Sequence, residues 1–237
     1  MTTGSEVASQ VLPLMLQPIN ANVSFRDRAY EALKQAIMDA DIYARREEIR
    51  LDDRQLSRAL GVSRTPIREA MTLLEQEGFL RTLPRRGVFI VRKTKKQIVE
   101  MIEMWAALES MAARLATLNA SDEEIAGLRK LFDEFRNSTP AEHIHEYSDA
   151  NIAFHQAIIR LSGSHLMGKT IDNLFIHVRA IRRMTISQSD RAERSIIDHM
   201  RIIEALEARD TELAERLVRQ HSLDLAAHVE KHCDFLA

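Results

Sequence analysis

The stretch Gly61-Val-Ser-Arg-Thr-Pro-Ile-Arg-Glu-Ala70 decides the fold of the N-terminal third of the chain. Gly61 predicts a tight turn, because a positive φ is cheap only for glycine. Ser63 is placed to cap the helix that follows, and Pro66 falls in its first turn, where a missing N–H costs nothing. This helix is expected to end at Gly78, a C′ glycine. Its inward face is expected to carry Ile67, Met71, Leu73 and Leu74.

A second helix is predicted directly before this turn. Residues 52–60 are amphipathic, with Leu56 and Leu60 on one face. A helix, a three-residue turn and a second helix form the arrangement that inserts the second helix into the major groove of DNA. Arg64 and Arg68 are four residues apart, so both project from one face near the start of that second helix. The sequence therefore predicts a DNA-binding helix-turn-helix.

Two flanking segments extend this unit on its N-terminal side. Residues 24–39 predict a first helix that is capped by Ser24. The buried stripe of this helix is expected to comprise Ala29, Leu33, Ala36 and Ile37. Ile49 and Leu51 predict a short edge strand before the helix-turn-helix.

A basic hairpin is predicted on the C-terminal side. The apolar period changes to two, and residues 79–83 and 88–91 flank the turn Pro84-Arg-Arg-Gly87. A hairpin directly after a recognition helix is a wing, whose Arg85 and Arg86 would meet phosphate or the minor groove. The alternative is a solvated turn without a DNA contact, and the preceding helix pair favours the wing.

The rest of the chain, after a charged linker at 93–96, predicts helices. Six segments are expected, at about 95–118, 122–136, 141–161, 165–187, 190–208 and 211–233. The first two open with capping boxes, Thr94 with Gln97 and Ser121 with Glu124. Because the connections are short, we expect an antiparallel bundle. The predicted fold is mainly α, with an N-terminal winged helix-turn-helix and a C-terminal six-helix antiparallel bundle.

The composition favours a folded helical protein. Apolar residues make up 45% of the 237 residues, charged residues 29%, and there are only 7 glycines and 5 prolines. The lone cysteine, Cys233, excludes an internal disulfide and fits a reducing cytosol, so we expect a cytoplasmic protein. No apolar stretch reaches the length of a membrane span. Residues 7–18 lack the basic start of a signal peptide and are interpreted as part of a non-cleaved arm.

The charge is divided unevenly along the chain. Residues 21–96 hold 17 Lys and Arg against 11 Asp and Glu, a net charge of +6. Residues 97–237 hold 16 against 23, a net charge of −7. This asymmetry is expected when one part of a protein meets phosphate and the other does not.

Three of the nine histidines have the spacing of a possible metal site. His155 follows Asn151 by one helical turn, and His199 and His221 fall within apolar runs of the last two predicted helices. Bundle interiors are where helical proteins build metal sites, and imidazoles with an oxygen donor suit zinc or nickel. The alternative is that these are satisfied core histidines. The other histidines are expected at the surface or at helix ends, with the bundle cavity as the alternative for His177: His143, His145, His165, His177, His228 and His232.

The motifs resemble those of a known family. Leu-Gly-Val-Ser-Arg-Thr-Pro-Ile-Arg-Glu-Ala (60–70), Leu-Glu-Gln-Glu-Gly-Phe-Leu (74–80) and Pro-Arg-Arg-Gly-Val-Phe (84–89) are similar to the GntR family of bacterial transcriptional regulators. The helical remainder resembles its FCD subfamily. The resemblance implies DNA contacts at Arg54, Arg64, Thr65, Arg68, Arg86 and Gly87. The segment from Ala40 departs from it, with Ala-Asp-Ile-Tyr-Ala-Arg-Arg where the family usually has Gly-x-x-x-Pro-Gly.

The resemblance also implies a metal and an effector. Many FCD domains bind a divalent metal through an Asp-x-x-x-His pair and two later histidines, which here correspond to Asn151, His155, His199 and His221. Asn151 stands where the family often has aspartate. Trp105 stands near a position where similar domains often carry an arginine that pairs with an acidic effector, and could be either a pocket wall or core. Alternative partners for an anion are Arg179, Arg182 and Arg183.

These expectations combine into one functional prediction. The protein is expected to be a bacterial regulator, in most such cases a repressor, that binds a pseudo-palindromic operator as a homodimer and responds to a small acid. The predicted organisation is an arm (1–23), a winged helix-turn-helix domain (24–92), a linker (93–96) and an FCD-type domain for effector, metal and dimerisation (97–237). A metal-sensing regulator and a metal-dependent enzyme are the alternatives.

Overall fold

The computed structural model describes residues 24–40, 42–43, 47–135, 140, 142–234 and 236. The predicted arm at 1–23 lies outside these residues. Across the described ranges, no helix is long and apolar enough to cross a membrane.

The N-terminal unit is a winged helix-turn-helix. Its helices are α1 (Phe25–Asp39), α2 (Asp53–Leu60) and α3 (Arg64–Gln76), and its strands are β1 (Arg50–Leu51), β2 (Leu80–Leu83) and β3 (Gly87–Ile90). The strands form one antiparallel sheet in the order β1-β3-β2, in which Leu51 faces Val88 and Thr82 faces Val88 from the other side. The predicted edge strand and wing are therefore confirmed, with β3 at the centre.

The first helix forms for the predicted reasons. Ser24 caps α1 by accepting a hydrogen bond from the Asp27 N–H at 3.1 Å. Its buried residues are Ala29, Leu33 and Ile37. The prediction that Ala36 is buried is wrong, because Ala36 lies at the edge of this stripe and is exposed.

The turn between α2 and α3 has the expected backbone. Gly61 has a φ of 66° and Gly78, which ends the second helix, has a φ of 81°. Ser63 is the N-cap residue of α3, but its side chain makes no capping hydrogen bond. An N-cap side chain bonds to the second or third N–H of its helix, and here the third residue is Pro66, which has none. The inward face of α3 comprises Ile67, Ala70, Met71 and Leu74, with Leu73 partly buried.

The C-terminal unit is a helical bundle. Its helices are α4 (Lys95–Asn119), α5 (Asp122–Ala126), α6 (Ile144–Leu161), α7 (His165–Ile186), α8 (Arg191–Glu207) and α9 (Thr211–His232). Both predicted capping boxes are present. The second predicted helix is α-helical only as far as Ala126 and continues as a 3-10 helix over Gly127–Phe135. Helix α4 packs against α9, α6 and α7, which places its buried face at the centre of the bundle.

Candidate metal centre and nucleic-acid interface

Three helices bring three histidines together inside the bundle. His155 of α6, His199 of α8 and His221 of α9 are all buried. Each offers one ring nitrogen, and these nitrogens lie within 4.8 Å of one another. The ring centroids are 5.4 Å apart for His155 and His199, and 4.8 Å apart for His199 and His221. The trio singled out by spacing is therefore one cluster.

Each imidazole is oriented by a partner at Nδ1. His155 is bonded to the Glu109 carboxylate, His199 lies 3.4 Å from the Tyr147 hydroxyl, and His221 lies 3.3 Å from an Asp198 oxygen. A neutral imidazole that donates from Nδ1 has a free lone pair on Nε2. In all three residues Nε2 is buried and has no hydrogen-bond partner within the described part of the chain.

Asn151 supplies a fourth polar atom of the same kind. It lies one turn before His155 on α6, and its Oδ1 is also buried without a partner among the described residues. Buried polar atoms are nearly always satisfied, so four unsatisfied ones in one cluster of helices need an explanation. A divalent metal provides one, because three imidazole nitrogens and an oxygen suit zinc or nickel.

The electrostatics favour the metal-binding form of the cluster. Burial lowers the pKa of His155 and of His199 well below the ordinary value, and the nearby charges of Arg182 and His221 act in the same direction. Burial also lowers the pKa of His221, which the Asp198 hydrogen bond partly opposes. The imidazoles are therefore neutral at physiological pH, which is the form that ligates a metal.

A buried carboxylate behind His155 was missed by sequence reasoning. Glu109 accepts hydrogen bonds from Trp105 Nε1 at 2.7 Å and from Ser222 Oγ at 2.9 Å. Burial raises its pKa, and the charge of Arg182 opposes this shift. Because donors surround Glu109, we infer that it is ionised, since the carboxylate accepts and does not donate. A signal was present: Glu109 lies one turn after Trp105 in an apolar helical run.

The structure places the two effector-pocket candidates differently. Trp105 is fully buried, bonded to Glu109 and stacked on Phe175 with ring centroids 5.4 Å apart. Arg179 forms an ion pair with Asp39 of α1 at 3.0 Å. Contact of either residue with an effector stays a prediction. A pocket of about 330 Å³ does reach His221, and its lining includes Arg191, Arg194, Ser195, Asp198, Arg201 and Asp224.

His177 corrects an expectation about the histidines. We expected it at the surface or at a helix end, but it is buried in the middle of α7. Its Nδ1 lies 2.8 Å from the hydroxyl of Tyr43, a contact between residues 134 positions apart. Such a long-range contact leaves no local sequence signal. His143, His145, His165 and His232 are exposed as expected, and His228 is half-buried.

The predicted DNA-contact arginines form one charged surface on the N-terminal unit. Arg64 Nη2 and Arg68 Nε both bond to the Asp53 carboxylate, at 2.9 and 2.6 Å. These hydrogen bonds lower the pKa of Asp53. Arg54, which follows Asp53, and Thr65 are also exposed. Asp53 therefore holds the start of α2 against the start of α3 and orients both guanidinium groups.

The wing borders the same surface. Asp53, Arg68 and Gly87 line one cleft of about 330 Å³ between α3 and the hairpin. Gly87 has a φ of 115°, and a Cβ there would lie 2.8 Å from Arg50 Nε, so glycine permits both the turn and the close packing of Arg50. Arg86 is exposed at the tip and lies 3.9 Å from Glu48.

Comparison with known proteins now identifies the family. Residues 25–90 match the gntR family of bacterial regulatory proteins, and residues 100–224 match the FCD domain. The chain belongs to the GntR family. Regulators of this family bind operator DNA, in agreement with the exposed arginines of α3.

The relatives are named as regulators. The chain is 30% identical to the HTH-type transcriptional regulator YdhC of Bacillus subtilis, over 79% of its own length and 81% of the relative's. It is also 30% identical to the probable D-xylose utilization operon transcriptional repressor of Paenarthrobacter nicotinovorans, over 70% and 73%. The solved structure of E. coli McbR/YncC shares the fold, with a TM-score of 0.73, 23% identity, and 90% and 100% coverage. The protein is a transcriptional regulator and not an enzyme.

Proposed function

We propose that this GntR-family protein is a repressor that binds a pseudo-palindromic operator as a homodimer, and that a metal-containing bundle controls its DNA binding in response to a small organic acid. The observation that carries the proposal is the set of four buried, unsatisfied donor atoms in the bundle, on Asn151, His155, His199 and His221, within the part of the chain that the structure describes.

Operator recognition is assigned to α2, α3 and the wing. Arg64 and Arg68 project from the first turns of α3, where guanidinium groups can reach base edges or phosphates. Arg54 and Thr65 flank them, and Arg86 and Gly87 at the wing would lie along the adjacent groove. Asp53 neutralises part of this charge in the absence of DNA, so we expect phosphate to compete with it for the guanidinium groups.

The metal would be held by Asn151, His155, His199 and His221. Imidazole and amide ligands are all neutral, so a divalent ion bound by them keeps its full charge at the site. The ion would supply a Lewis acid to which a carboxylate oxygen can bind. Glu109 and Asp198 act outside this set by fixing the orientation and basicity of His155 and His221.

We assign the effector to the class of organic acids because positively charged side chains surround its proposed site. Arg191, Arg194 and Arg201 line the pocket that reaches His221, and Arg182 is buried nearby with a guanidinium bonded to Ser222 at 3.2 Å. Burial lowers the pKa of Arg182 to about 10, so it remains charged at neutral pH. A carboxylate would offset these cations and the metal. Roles for Trp105 and Arg179 in binding it remain predictions.

We assign the dimer interface to the outer face of α4, which would pack against a second copy of the chain. Met104, Met111 and Leu118 are 53%, 44% and 64% exposed and recur every seven residues along this 25-residue helix. An apolar stripe with this spacing is typical of a helix that packs against another helix. Repression, rather than activation, is proposed by analogy with the relative named as a repressor.

A metal-sensing regulator is the second candidate. It is favoured by the completeness of the cluster, in which every Nδ1 already has a partner without any organic ligand. The two candidates differ in one measurement. Zinc alone would set operator affinity in a metal sensor, whereas in the proposed regulator an acid such as citrate would change the affinity of the zinc-loaded protein.

The experiment that tests the proposal is selection of a random genomic DNA library by the full-length protein, with and without a chelator. We expect recovery of one inverted repeat, and loss of enrichment when the metal is removed. No enrichment by a folded protein would contradict operator binding. Recovery of a single half-site would contradict the dimer, and enrichment that is indifferent to chelator would contradict metal control.

A further inference from the structure

A tyrosine hydroxyl joins the DNA-binding unit to the bundle. Tyr43 follows α1 and is buried, in the segment that departs from the family pattern. Its hydroxyl lies 2.8 Å from His177 Nδ1 on α7. The Lys93 N–H, just before α4, donates to the same oxygen at 3.3 Å. One atom of the segment that follows α1 therefore contacts two others, the linker and a bundle helix.

The Tyr43 oxygen accepts a hydrogen bond from the Lys93 N–H. Its bond with His177 Nδ1 forms with either neutral tautomer of the imidazole, since the hydroxyl can donate to Nδ1 or accept from Nδ1–H. Burial lowers the pKa of His177 to about 3, so the imidazole is neutral. Burial likewise raises the pKa of Tyr43 to about 12, which keeps the hydroxyl protonated. The bond is therefore maintained at neutral pH. The guanidinium of Arg92 also lies 5.5 Å from the centre of the Tyr43 ring.

A second contact lies beside the first. Arg179, two residues after His177, forms an ion pair with Asp39 at the end of α1. Asp39 is exposed, so this pair is expected to contribute little by itself. Together the two contacts place α7 against both the last turn of α1 and the segment that follows it.

Helix α7 also contacts the surroundings of the metal cluster. Phe175, two residues before His177, stacks on Trp105, and Trp105 donates to Glu109. Glu109 in turn is bonded to Nδ1 of His155. On the other side of His177, Arg182 bonds to Ser222, which donates to Glu109. Packed and hydrogen-bonded contacts thus run without a gap from a candidate metal ligand to α7 and on to Tyr43.

We propose that Tyr43 and His177 are positioning residues whose hydrogen bond fixes the DNA-binding unit on the bundle and carries the effect of metal binding to it. The inference rests on the proposed function, because it takes zinc binding by the bundle as the input. Contiguous contacts are a route for coupling, but only a measured loss of coupling assigns it to a contact.

The test is hydrogen–deuterium exchange of the full-length protein, metal-stripped and zinc-loaded, for wild type and Tyr43→Phe. This substitution keeps the ring and removes only the hydroxyl. In wild type we expect zinc to slow exchange in α6 and α8, and also in peptides containing Tyr43 or Lys93. In Tyr43→Phe the effect in α6 and α8 should persist, while the effect at residues 43 and 93 should fall by about fivefold, the scale of one hydrogen bond.

Tyr30→Phe is the matched control. The Tyr30 hydroxyl bonds to Glu77 at 2.7 Å within the DNA-binding unit, so its loss removes a hydrogen bond without touching the bundle. We expect this variant to respond to zinc as wild type does. Equal loss of the response in both variants would overturn the proposal, because any weakening of the unit would then have the same effect.

The outcomes separate this inference from the proposed function. If zinc protects the bundle and the peptides at residues 43 and 93 respond equally in wild type and Tyr43→Phe, the hydrogen bond is not the coupling contact. If zinc does not change the bundle at all, the metal site is wrong. The contact is then judged on the metal-free proteins, where Tyr43→Phe must speed exchange at residues 43 and 93 relative to wild type, and equal exchange overturns it.

Discussion

The DNA-contact surface and the histidine cluster hold their nitrogen atoms in opposite environments. Under the proposed function, both present nitrogen-bearing side chains to a ligand. Arg68 is 63% exposed, charged, and already paired with Asp53. His199 is 0% exposed, neutral, and unpaired at Nε2 among the described residues. In the absence of DNA, the Arg68 guanidinium is exposed to water and bonded to the Asp53 carboxylate. In the described part of the chain, His199 Nε2 has no hydrogen-bond partner.

This difference predicts whether a substitution should change ligand affinity alone or both affinity and stability. An exposed side chain contributes little to folding, so its loss should appear mainly in ligand affinity. A buried, unsatisfied polar atom costs folding free energy unless a ligand binds it, so its loss should change both ligand affinity and stability.

His199→Ala should have the largest effect. It removes one of three imidazoles, so we expect zinc affinity to fall by more than about 100-fold, beyond the loss typical of changing only an outer partner of a ligand. Isothermal titration calorimetry with zinc, and metal content per subunit, measure this. His165→Ala removes an exposed imidazole from α7 and should bind zinc as wild type does. Unchanged zinc binding by the His199 variant would make these histidines core residues.

Arg68→Ala should come next and should affect only the exposed surface. Loss of a guanidinium that reads a base edge costs about 1–3 kcal/mol, or roughly 5–150-fold in operator affinity. Stability should stay within about 0.5 kcal/mol of wild type. Fluorescence anisotropy with the selected operator and urea unfolding measure the two quantities. Arg26→Ala, an exposed arginine of α1 paired with Asp27, is the control. A footprint identical to wild type would refute the assignment of α3.

The pH dependence of stability should reveal buried His177. Its pKa is about 3 in the folded protein, against about 6.5 unfolded, so the unfolded state binds the extra proton. The stabilisation is present above pH 6.5 and is lost at about 1.4 kcal/mol per pH unit as the pH falls, or about 2 kcal/mol by pH 5. Tyr43 and Lys93 face this imidazole and Arg92 lies over the Tyr43 ring, and none of the three supplies a carboxylate to stabilise its charge.

Urea unfolding of wild type and His177→Gln between pH 7 and 5 measures this contribution. The variant should lose less stability than wild type as the pH falls. His165→Gln, at an exposed position, should lose stability in parallel with wild type. Parallel curves for wild type and His177→Gln would mean that the imidazole is not held neutral.

Asp198→Asn should have the smallest effect. The change weakens the partner of His221 Nδ1 without removing a candidate ligand, so we expect zinc affinity to fall by about tenfold. Asp224→Asn is the matched control, since Asp224 lines the same pocket but accepts a hydrogen bond from Gln220 instead of a histidine. Equal effects of both changes would point to general charge and not to a specific partner.

The sequence predicted what local chemistry determines. Gly61, the capping box of Thr94 and Gln97, and the helical spacing of Asn151 and His155 each depend on a few neighbouring residues. Their consequences were therefore readable before the fold was known. Ser63 was the local exception, because it is the N-cap residue of α3 but its side chain makes no capping hydrogen bond.

Long-range partners were not predictable in the same way. Glu109 meets His155 across 46 residues and Tyr43 meets His177 across 134, and neither pairing has a periodic signal. The histidine trio could be proposed because all three lie in apolar helical runs that must face one core. The contacts of Glu109, Tyr147 and Asp198 with Nδ1 determine which ring nitrogen of each histidine is left free. These partners depend on packing.

The missing cap of α3 has a consequence for the bound state. Pro66 supplies no N–H and the exposed hydroxyl of Ser63 is not engaged in a capping bond, so the amides of Arg64 and Thr65 begin the helix without that acceptor. The positive end of a helix is a natural seat for a phosphate oxygen. We therefore expect the DNA backbone itself to complete the recognition helix, so that part of its local order is supplied by the nucleic acid.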